Sequence, residues 1–101
     1  MAINLKAVTD CFGYQQITSL SSATGLTVPA IDPNGLNAKP SIALITPEGQ
    51  AVRWRDDGTA PTATVGMPLA VGVTFQYDGD LSKIRFIEQT AGAKLNISYY
   101  S

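Results

Sequence analysis

Residues 94–100 read KLNISYY, and this stretch decides the fold class because its apolar and polar side chains alternate strictly. Leu95, Ile97 and Tyr99 fall on one side of an extended chain, with the intervening residues on the other. A period of two is typical of a strand that buries one face in a core. The pattern therefore predicts an all-β protein, since it recurs at residues 51–55, 73–77 and 83–87.

Turn-forming residues separate these runs at short intervals. Residues 46–49 read TPEG, with proline and glycine where a type I turn favours them. We expect this turn to join a strand at residues 41–46 to one at residues 51–55 as a hairpin. Residues 42–45 are apolar at every position, which predicts a strand covered on both faces. Later reversals are predicted at residues 56–58, 78–80 and 91–92.

The length of 101 residues suits a single domain. Residues 1–40 are loop-rich, with candidate strands at residues 15–20 and 26–29 and a loop at residues 32–35. Residues 41–101 form the strand-dense core. The prediction is one small β-sandwich or jelly-roll of about seven to eight short antiparallel strands. The N-terminal part either wraps this core or extends as an arm toward a neighbouring subunit.

Composition narrows the possible partners. Seven basic and eight acidic residues give a net charge of −1, without the basic stripe that nucleic-acid binding requires. The apolar stretches are shorter than the ~20 residues that span a bilayer, so no membrane partner is expected. Residues 1–10 read MAINLKAVTD and predict no secretory signal. Charged residues make up only 15% of the chain, which favours a surface partly occupied by protein.

Few residues offer catalytic chemistry. The chain contains no histidine, the commonest general base and metal ligand. The single cysteine, Cys11, has no histidine to activate it, and we expect a buried small hydrophobe kept reduced. Motifs for a phosphate-binding loop, a serine nucleophile and a zinc site are missing from the sequence. We expect no enzyme activity, no catalytic residue, no cofactor and no metal.

Two close aspartate pairs, Asp56 with Asp57 and Asp78 with Asp80, are the remaining candidates for chemistry. Carboxylate pairs can serve glycosidases or bind calcium. Each pair lies beside a glycine in a predicted turn, where aspartate is favoured because it hydrogen-bonds to nearby backbone. Turn formation is the preferred interpretation, and calcium binding and catalysis are the alternatives.

Two pairs of basic residues, Arg53 with Arg55 and Lys83 with Arg85, each project from one face of a predicted strand. They form either a solvated polar face balanced by turn aspartates or a docking surface in an oligomer. Arginine favours the second role because its planar guanidinium binds carboxylates through two hydrogen bonds. Trp54 alternates with the two arginines and is predicted to belong to the core.

The adjacent Tyr99 and Tyr100 point to opposite faces of the last predicted strand, so one ring is expected in the core and the other exposed. An exposed tyrosine on a C-terminal edge strand would anchor an interface. The candidate interface therefore comprises Arg53, Arg55, Lys83, Arg85 and Tyr100.

Residues 51–69 read AVRWRDDGTAPTATVGMPL and resemble a motif of small tailed-bacteriophage virion proteins. That motif has an arginine-bearing strand, then DGT-x-PT-x-x-x-G and a leucine. GDLSKIRFI at residues 79–87 and LNISYY at residues 95–100 complete a resemblance that covers about residues 41–100. The alternation at residues 62–65 predicts a short strand, and Pro68 suits a sheet edge. We expect this segment to cross between two sheets.

The resemblance implies a non-enzymatic β-sandwich of the phage particle, made in the host cytoplasm. The leading hypothesis is a capsid decoration, or cement, protein at the particle surface that binds the major capsid protein. Avidity would make weak repeated contacts sufficient, and a homo-oligomer (dimer or trimer) would suit a symmetric capsid. The alternatives are a tail, adaptor or fibre-associated protein, and a carbohydrate- or receptor-binding module. The last would need an aromatic platform, for which the candidates are Tyr14, Trp54, Tyr99 and Tyr100.

Overall fold

The computed structural model describes residues 11–29 and 40–100, and within these ranges the chain is all-β, as predicted. It contains eight strands: β1 (Cys11–Ile17), β2 (Thr24–Gly25), β3 (Ile42–Glu48), β4 (Val52–Arg55), β5 (Met67–Leu69), β6 (Phe75–Tyr77), β7 (Arg85–Glu88) and β8 (Lys94–Tyr100).

The strands form two four-stranded antiparallel sheets. The first sheet has the order β1-β8-β3-β6, and the second has the order β2-β7-β4-β5. Strand pairs β1–β8, β2–β7, β3–β6 and β4–β5 all occur, so the chain folds as one long hairpin rolled over itself. This is the arrangement of an eight-stranded jelly roll. The predicted β-sandwich class is therefore confirmed.

The longest ladders run through β8, the strand whose sequence most strongly indicated the fold. β8 pairs with β1 over Ile17↔Leu95 to Cys11↔Tyr100 and with β3 over Glu48↔Lys94 to Ile42↔Tyr100. Leu95, Ile97 and Tyr99 are buried, as their alternation predicted. β8 is thus an inner strand of its sheet, and the prediction that it forms an edge is wrong because β1 covers it.

The core fills the space between the two sheets with alternate residues of their strands. Ala43 and Ile45 of β3 face Val52 and Phe86 of the second sheet within one buried cluster. On the other face of β3, Leu44 is only half-buried. β3 is therefore fully covered on one face, and the prediction of two covered faces is wrong because the described residues supply no third layer.

The predicted hairpin at residues 46–49 does not form, because β3 and β4 belong to different sheets. Pro47 lies inside β3 opposite Leu95, and its carbonyl accepts a hydrogen bond from the backbone N–H of Gly72. In a β-strand, the N–H and the C=O of one residue point to the same side. The side on which Pro47 lacks an N–H is therefore the side of β6, and β6 pairs with β3 only from Ala43 to Ile45. Proline is tolerated there because no ladder bond is lost.

The segment between β4 and β5 is a loop within one sheet, so the prediction of a crossover is wrong. Thr62 and Val65 exchange backbone hydrogen bonds of 2.8 and 3.3 Å, and the Thr62 hydroxyl accepts a bond from the Val65 N–H. The predicted strand at residues 62–65 is therefore a tight turn, since these local bonds satisfy its backbone. Pro68 does lie on an edge strand, β5.

In the N-terminal part, two strands are observed where loops were mainly expected. β1 begins at Cys11 and ends at Ile17, earlier than the predicted strand at residues 15–20. No strand forms at residues 26–29, and the short β2 precedes them and pairs with β7. The loop predicted at residues 32–35 lies outside the described residues, as does half of the proposed arm, residues 1–10 and 30–39.

Candidate binding surfaces

The five predicted interface residues are divided between the two sheets. Three of them lie on the outer face of the second sheet: Arg53, Arg55 and Arg85. Arg55 lies directly opposite Arg85. Lys83 is exposed in the turn before β7, whereas Tyr100 is half-buried on the outward register of the first sheet. The structure therefore brings together the arginines and separates them from Tyr100, which lies on the opposite side of the sandwich.

The arginines hold the loops that surround them. Arg53 donates hydrogen bonds of 3.2 and 2.8 Å to the carbonyls of Ala63 and Gly66. Arg85 donates to the carbonyl of Gly58 at 3.2 Å. These guanidinium groups hold the β4–β5 loop against the outer face of the second sheet.

Arg55 and Asp57 form an ion pair on the same loop. The Arg55 Nε donates to Oδ1 of Asp57 at 3.0 Å, and Nη2 contacts the other carboxylate oxygen. Asp57 also accepts a bond from the backbone N–H of Thr59. The hydrogen bond from Arg55, with that from Thr59, lowers the pKa of Asp57, and the bond to Asp57 raises the pKa of Arg55.

Two of the four aspartates, Asp57 and Asp80, hydrogen-bond to the backbone of their turns, as the preferred interpretation predicted. Oδ1 of Asp80 accepts bonds from the backbone N–H and the hydroxyl of Ser82, which lower the pKa of Asp80. Asp56 differs, because its Oδ2 accepts a 2.8 Å bond from the hydroxyl of Tyr77 across the sandwich. Over residues 11–29 and 40–100, no group of three or more potential metal ligands is found.

Cys11 is exposed, so its prediction as a buried hydrophobe is wrong. A bulge between Cys11 and Gly13 shifts the register against β8. This irregularity turns Phe12 into the core and leaves the thiol outside, 3.8 Å from the hydroxyl of Ser98. A bulge changes which residues face inward, and simple alternation does not reveal it.

One segment of the described chain carries no charge. All seven basic and eight acidic residues lie outside residues 59–77, the segment that contains β5 and β6. These two strands are the edges of their sheets and follow one another in the chain, so they lie on the same side. Five large hydrophobic side chains are exposed in the described part of the chain, and this segment holds four of them: Val65, Met67, Val71 and Val73.

We call the sheet edge that carries these four residues, from the loop before β5 to the loop before β6, the uncharged side. Each side chain is about half exposed, from 49% at Val71 to 56% at Met67. Exposed apolar patches on small proteins commonly mark contacts with other proteins. Sequence reasoning centred on the basic pairs missed this surface, although the long run without charge was the available signal.

A cavity of about 510 Å³ opens at one end of the uncharged side, lined by Trp54 and Arg55 of β4, by Asp56 and Asp57 of the loop that follows, and by residues 65–67 of that loop and β5. Its volume is within the ~300–1,000 Å³ typical of small-ligand pockets. Trp54 supplies the aromatic wall and Met67, its partner in the β4–β5 ladder, lies alongside. The cavity therefore combines an indole and apolar groups with the charged side chains of Arg55, Asp56 and Asp57.

Trp54 packs against the core, as predicted, but it is only half-buried. Its ring stacks on Phe75 with centroids 5.0 Å apart and meets Tyr77 edge-on at 6.0 Å. The other aromatic candidates do not join it: Tyr99 is buried, and Tyr14 is 64% exposed on β1, the far edge of the first sheet. Trp54 therefore shares no platform with the other candidates, whereas Tyr14 and Tyr100 point to the same outer face from the neighbouring strands β1 and β8.

Comparison of the chain with protein-family models, with curated proteins and with solved structures finds no match in any of the three. Over the described ranges, the structure also has no helix long and apolar enough to cross a bilayer.

Proposed function

We propose that this chain is a non-enzymatic structural protein of a tailed-bacteriophage particle, which decorates the head by binding the major capsid protein through the uncharged side. The observation that carries the proposal is the grouping of four exposed apolar side chains in a segment without charge. Residues 59–77 contain no charged side chain, so covering these four residues buries mainly apolar groups. The resemblance of residues 41–100 to small phage virion proteins supplies the partner.

The physical cost of docking is low at this surface. Burial of apolar area contributes about 25 cal/mol per Å², and desolvating an unpaired charge would oppose it. Val71 and Val73 follow β5 in a loop tied to β3 by the bond from Gly72 to Pro47. The loop is thus held in place before binding, so less conformational entropy is lost.

The jelly-roll order supports the proposal by analogy, because this architecture is common among viral capsid domains. The same architecture also serves lectins and enzymes, so the fold supports the proposal without identifying the function. Repetition on a capsid lattice compensates for a small contact area, since many weak contacts act together. A dimer or trimer of the chain would match local symmetry axes of such a lattice.

The experiment is a reconstruction of particles of the phage that encodes the chain, combined with mass spectrometry of purified virions. We expect a fixed number of copies per particle and surface density on the head, with residues 65–73 facing the capsid. Particles without the protein would overturn the proposal. Density confined to the tail or fibres would overturn the head assignment in favour of a tail, adaptor or fibre-associated protein.

A further inference from the structure

We infer that the outer face of the first sheet binds a neutral saccharide, with Tyr14 as the ring against which a sugar packs. Tyr14 lies on β1, and β1 and β6 are the opposite edges of this sheet. A partner on the uncharged side therefore leaves the ring accessible. The inference goes beyond the function proposed above and does not depend on attachment to a capsid.

The ring of Tyr14 is anchored along the surface of the sheet. Tyr14 lies opposite Ser98 in the β1–β8 ladder, and its hydroxyl donates a hydrogen bond to Oδ1 of Asn96, two residues away on β8. This diagonal bond ties the tip of the side chain to the neighbouring strand. The side chain is still 64% exposed, so the anchored ring presents a broad apolar surface to solvent.

Amide groups and a carboxylate surround the anchored end of the ring. Nε2 of Gln16 also donates to Oδ1 of Asn96, at 3.0 Å, and Nδ2 of Asn96 donates to Oε1 of Glu48 at 3.0 Å. These bonds join β1, β8 and β3, three neighbouring strands of the sheet. The other oxygens of Gln16 and Glu48 accept no bond from residues 11–29 and 40–100, and Nδ2 of Asn96 has a second hydrogen. Both acceptors and a donor therefore remain for a ligand.

This combination matches a saccharide better than it matches a protein surface. The C–H groups on one side of a sugar ring pack against the negative face of an aromatic ring, and the sugar hydroxyls both donate and accept hydrogen bonds. Tyr14 is the one large exposed hydrophobic side chain of the described chain that lies outside residues 59–77. A protein partner would meet a single ring among polar groups, without the apolar patch that the uncharged side offers.

The charges on this face favour a neutral ligand. The outward positions of the four described strands carry two charged residues, Glu48 of β3 and Lys94 of β8, which lie directly opposite each other. Opposite charges in this position attract one another, so the face has no surplus of either sign to attract an ion. An acidic saccharide would bring its carboxylates close to Glu48, whereas a neutral hydroxyl can donate a hydrogen bond to it.

The site has room for a short oligosaccharide and is organised before binding. Neighbouring strands lie about 4.8 Å apart, so the row of side chains from β1 to β3 spans roughly 10 Å. The side chains of Tyr14 and Gln16 are both held by Asn96. Less conformational entropy is therefore lost when a ligand fixes them in place.

The test is a titration of isotope-labelled protein with oligosaccharides, followed through its backbone amide signals by NMR. Cellotetraose, maltotetraose and chitotetraose are the neutral probes, and tetragalacturonate is an anionic probe of the same length. We expect saturable shifts of β1 and β8 signals with at least one neutral probe, and clearly weaker binding of tetragalacturonate. The indole N–H signal of Trp54, which lies on the second sheet, should not move.

Matched variants locate the binding. Tyr14→Ala removes the ring, so we expect binding to weaken roughly tenfold or more. Tyr14→Phe keeps the ring and loses its anchor on Asn96, so binding should weaken less than in Tyr14→Ala. Val73→Ala shortens an exposed side chain of the uncharged side and should bind as the unmodified protein does. No shift with any neutral probe, equal binding of tetragalacturonate, or unchanged binding by Tyr14→Ala each overturns the inference.

The same approach separates this inference from the proposed function. Val71→Asp should weaken capsid binding and leave saccharide binding intact, and Tyr14→Ala should do the reverse. Capsid binding by a protein that binds no saccharide would overturn the saccharide site alone. Saccharide binding by a protein that does not attach to capsids would overturn the proposed function alone.

Discussion

The hydroxyl of Tyr77 donates a 2.8 Å hydrogen bond to Oδ2 of Asp56 and so joins β6 of the first sheet to the end of β4 in the second. Tyr77 is buried, whereas Asp56 is exposed beside the cavity. The bond therefore connects the core to the loop that follows β4, and it fixes the position of the Asp56 carboxylate beside the cavity.

The first prediction concerns this bond. Tyr77→Phe should lower the free energy of unfolding by about 1–2 kcal/mol, because it removes a hydrogen bond to a charged acceptor. Urea denaturation followed by circular dichroism measures the change. Tyr100→Phe is the control, because that hydroxyl bonds to no described residue, and it should leave stability nearly unchanged. Equal stability of the two variants would refute the role of the bond.

The second prediction concerns alkaline pH. Burial raises the pKa of Tyr99 to about 12, and burial together with Asp56 raises that of Tyr77 to about 12, from the ordinary value of 10.0. The unfolded chain therefore loses these protons first, and stability should fall between about pH 10 and pH 12. Denaturation across this range should show a shallower fall for Tyr77→Phe than for the unmodified protein. An identical slope would contradict the stated cause.

The third prediction concerns Gly49, the residue that turns the chain out of β3 toward the other sheet. Its φ is +84°, and an added Cβ would lie 2.7 Å from the carbonyl oxygen of Gly92. Gly72 has a similar φ of +79° but open space around it. Alanine should cost about 1–2 kcal/mol at Gly72 from backbone strain alone and clearly more at Gly49. Thermal or urea unfolding measures both variants. Equal losses of unfolding free energy for Gly49→Ala and Gly72→Ala would contradict a steric clash with Gly92.

The fourth prediction concerns the core of the first sheet. Ile97 is fully buried on β8, opposite Gln15 of β1 and Ile45 of β3. Ile97→Ala should cost about 2–5 kcal/mol because it leaves a cavity. Ile42→Ala makes the same chemical change at a half-buried site and should cost roughly 1 kcal/mol. Comparable losses in urea denaturation would contradict the placement of the core.

Much of the fold could be predicted from local patterns, because alternation reports directly which side chains face inward. Leu95, Ile97 and Tyr99 were predicted to be buried in this way and are. Strand pairing was harder to predict from the sequence, because strands that pair in a jelly roll are far apart along the chain. The turn chemistry around Pro47 indicated a hairpin, whereas the pairing of β3 with β8 and β6 places the next strand in the other sheet.

The candidate surfaces were harder to predict for a related reason. Arg53 and Arg85 were expected on a solvated or docking face, and sequence spacing could not locate the loop carbonyls to which some of their donors bond. The uncharged side depends on β5 and β6 being edges of different sheets on the same side of the sandwich. The positions of β5 and β6 follow from the order of strands in the sheets. The uncharged segment 59–77 can therefore be identified as one exposed surface only when the fold is known.

The central claim is that the uncharged side attaches the protein to the phage head. Its most direct test is co-sedimentation of the purified protein with capsids prepared without it, using Val71→Asp and the control Thr18→Asp. Thr18 is exposed next to β1, at the opposite edge of the first sheet. We predict saturable binding for the unmodified protein and the control, and binding roughly tenfold weaker or more for Val71→Asp, because docking would bury an unpaired charge. Equal binding of both variants, or no binding by the unmodified protein, would contradict the claim.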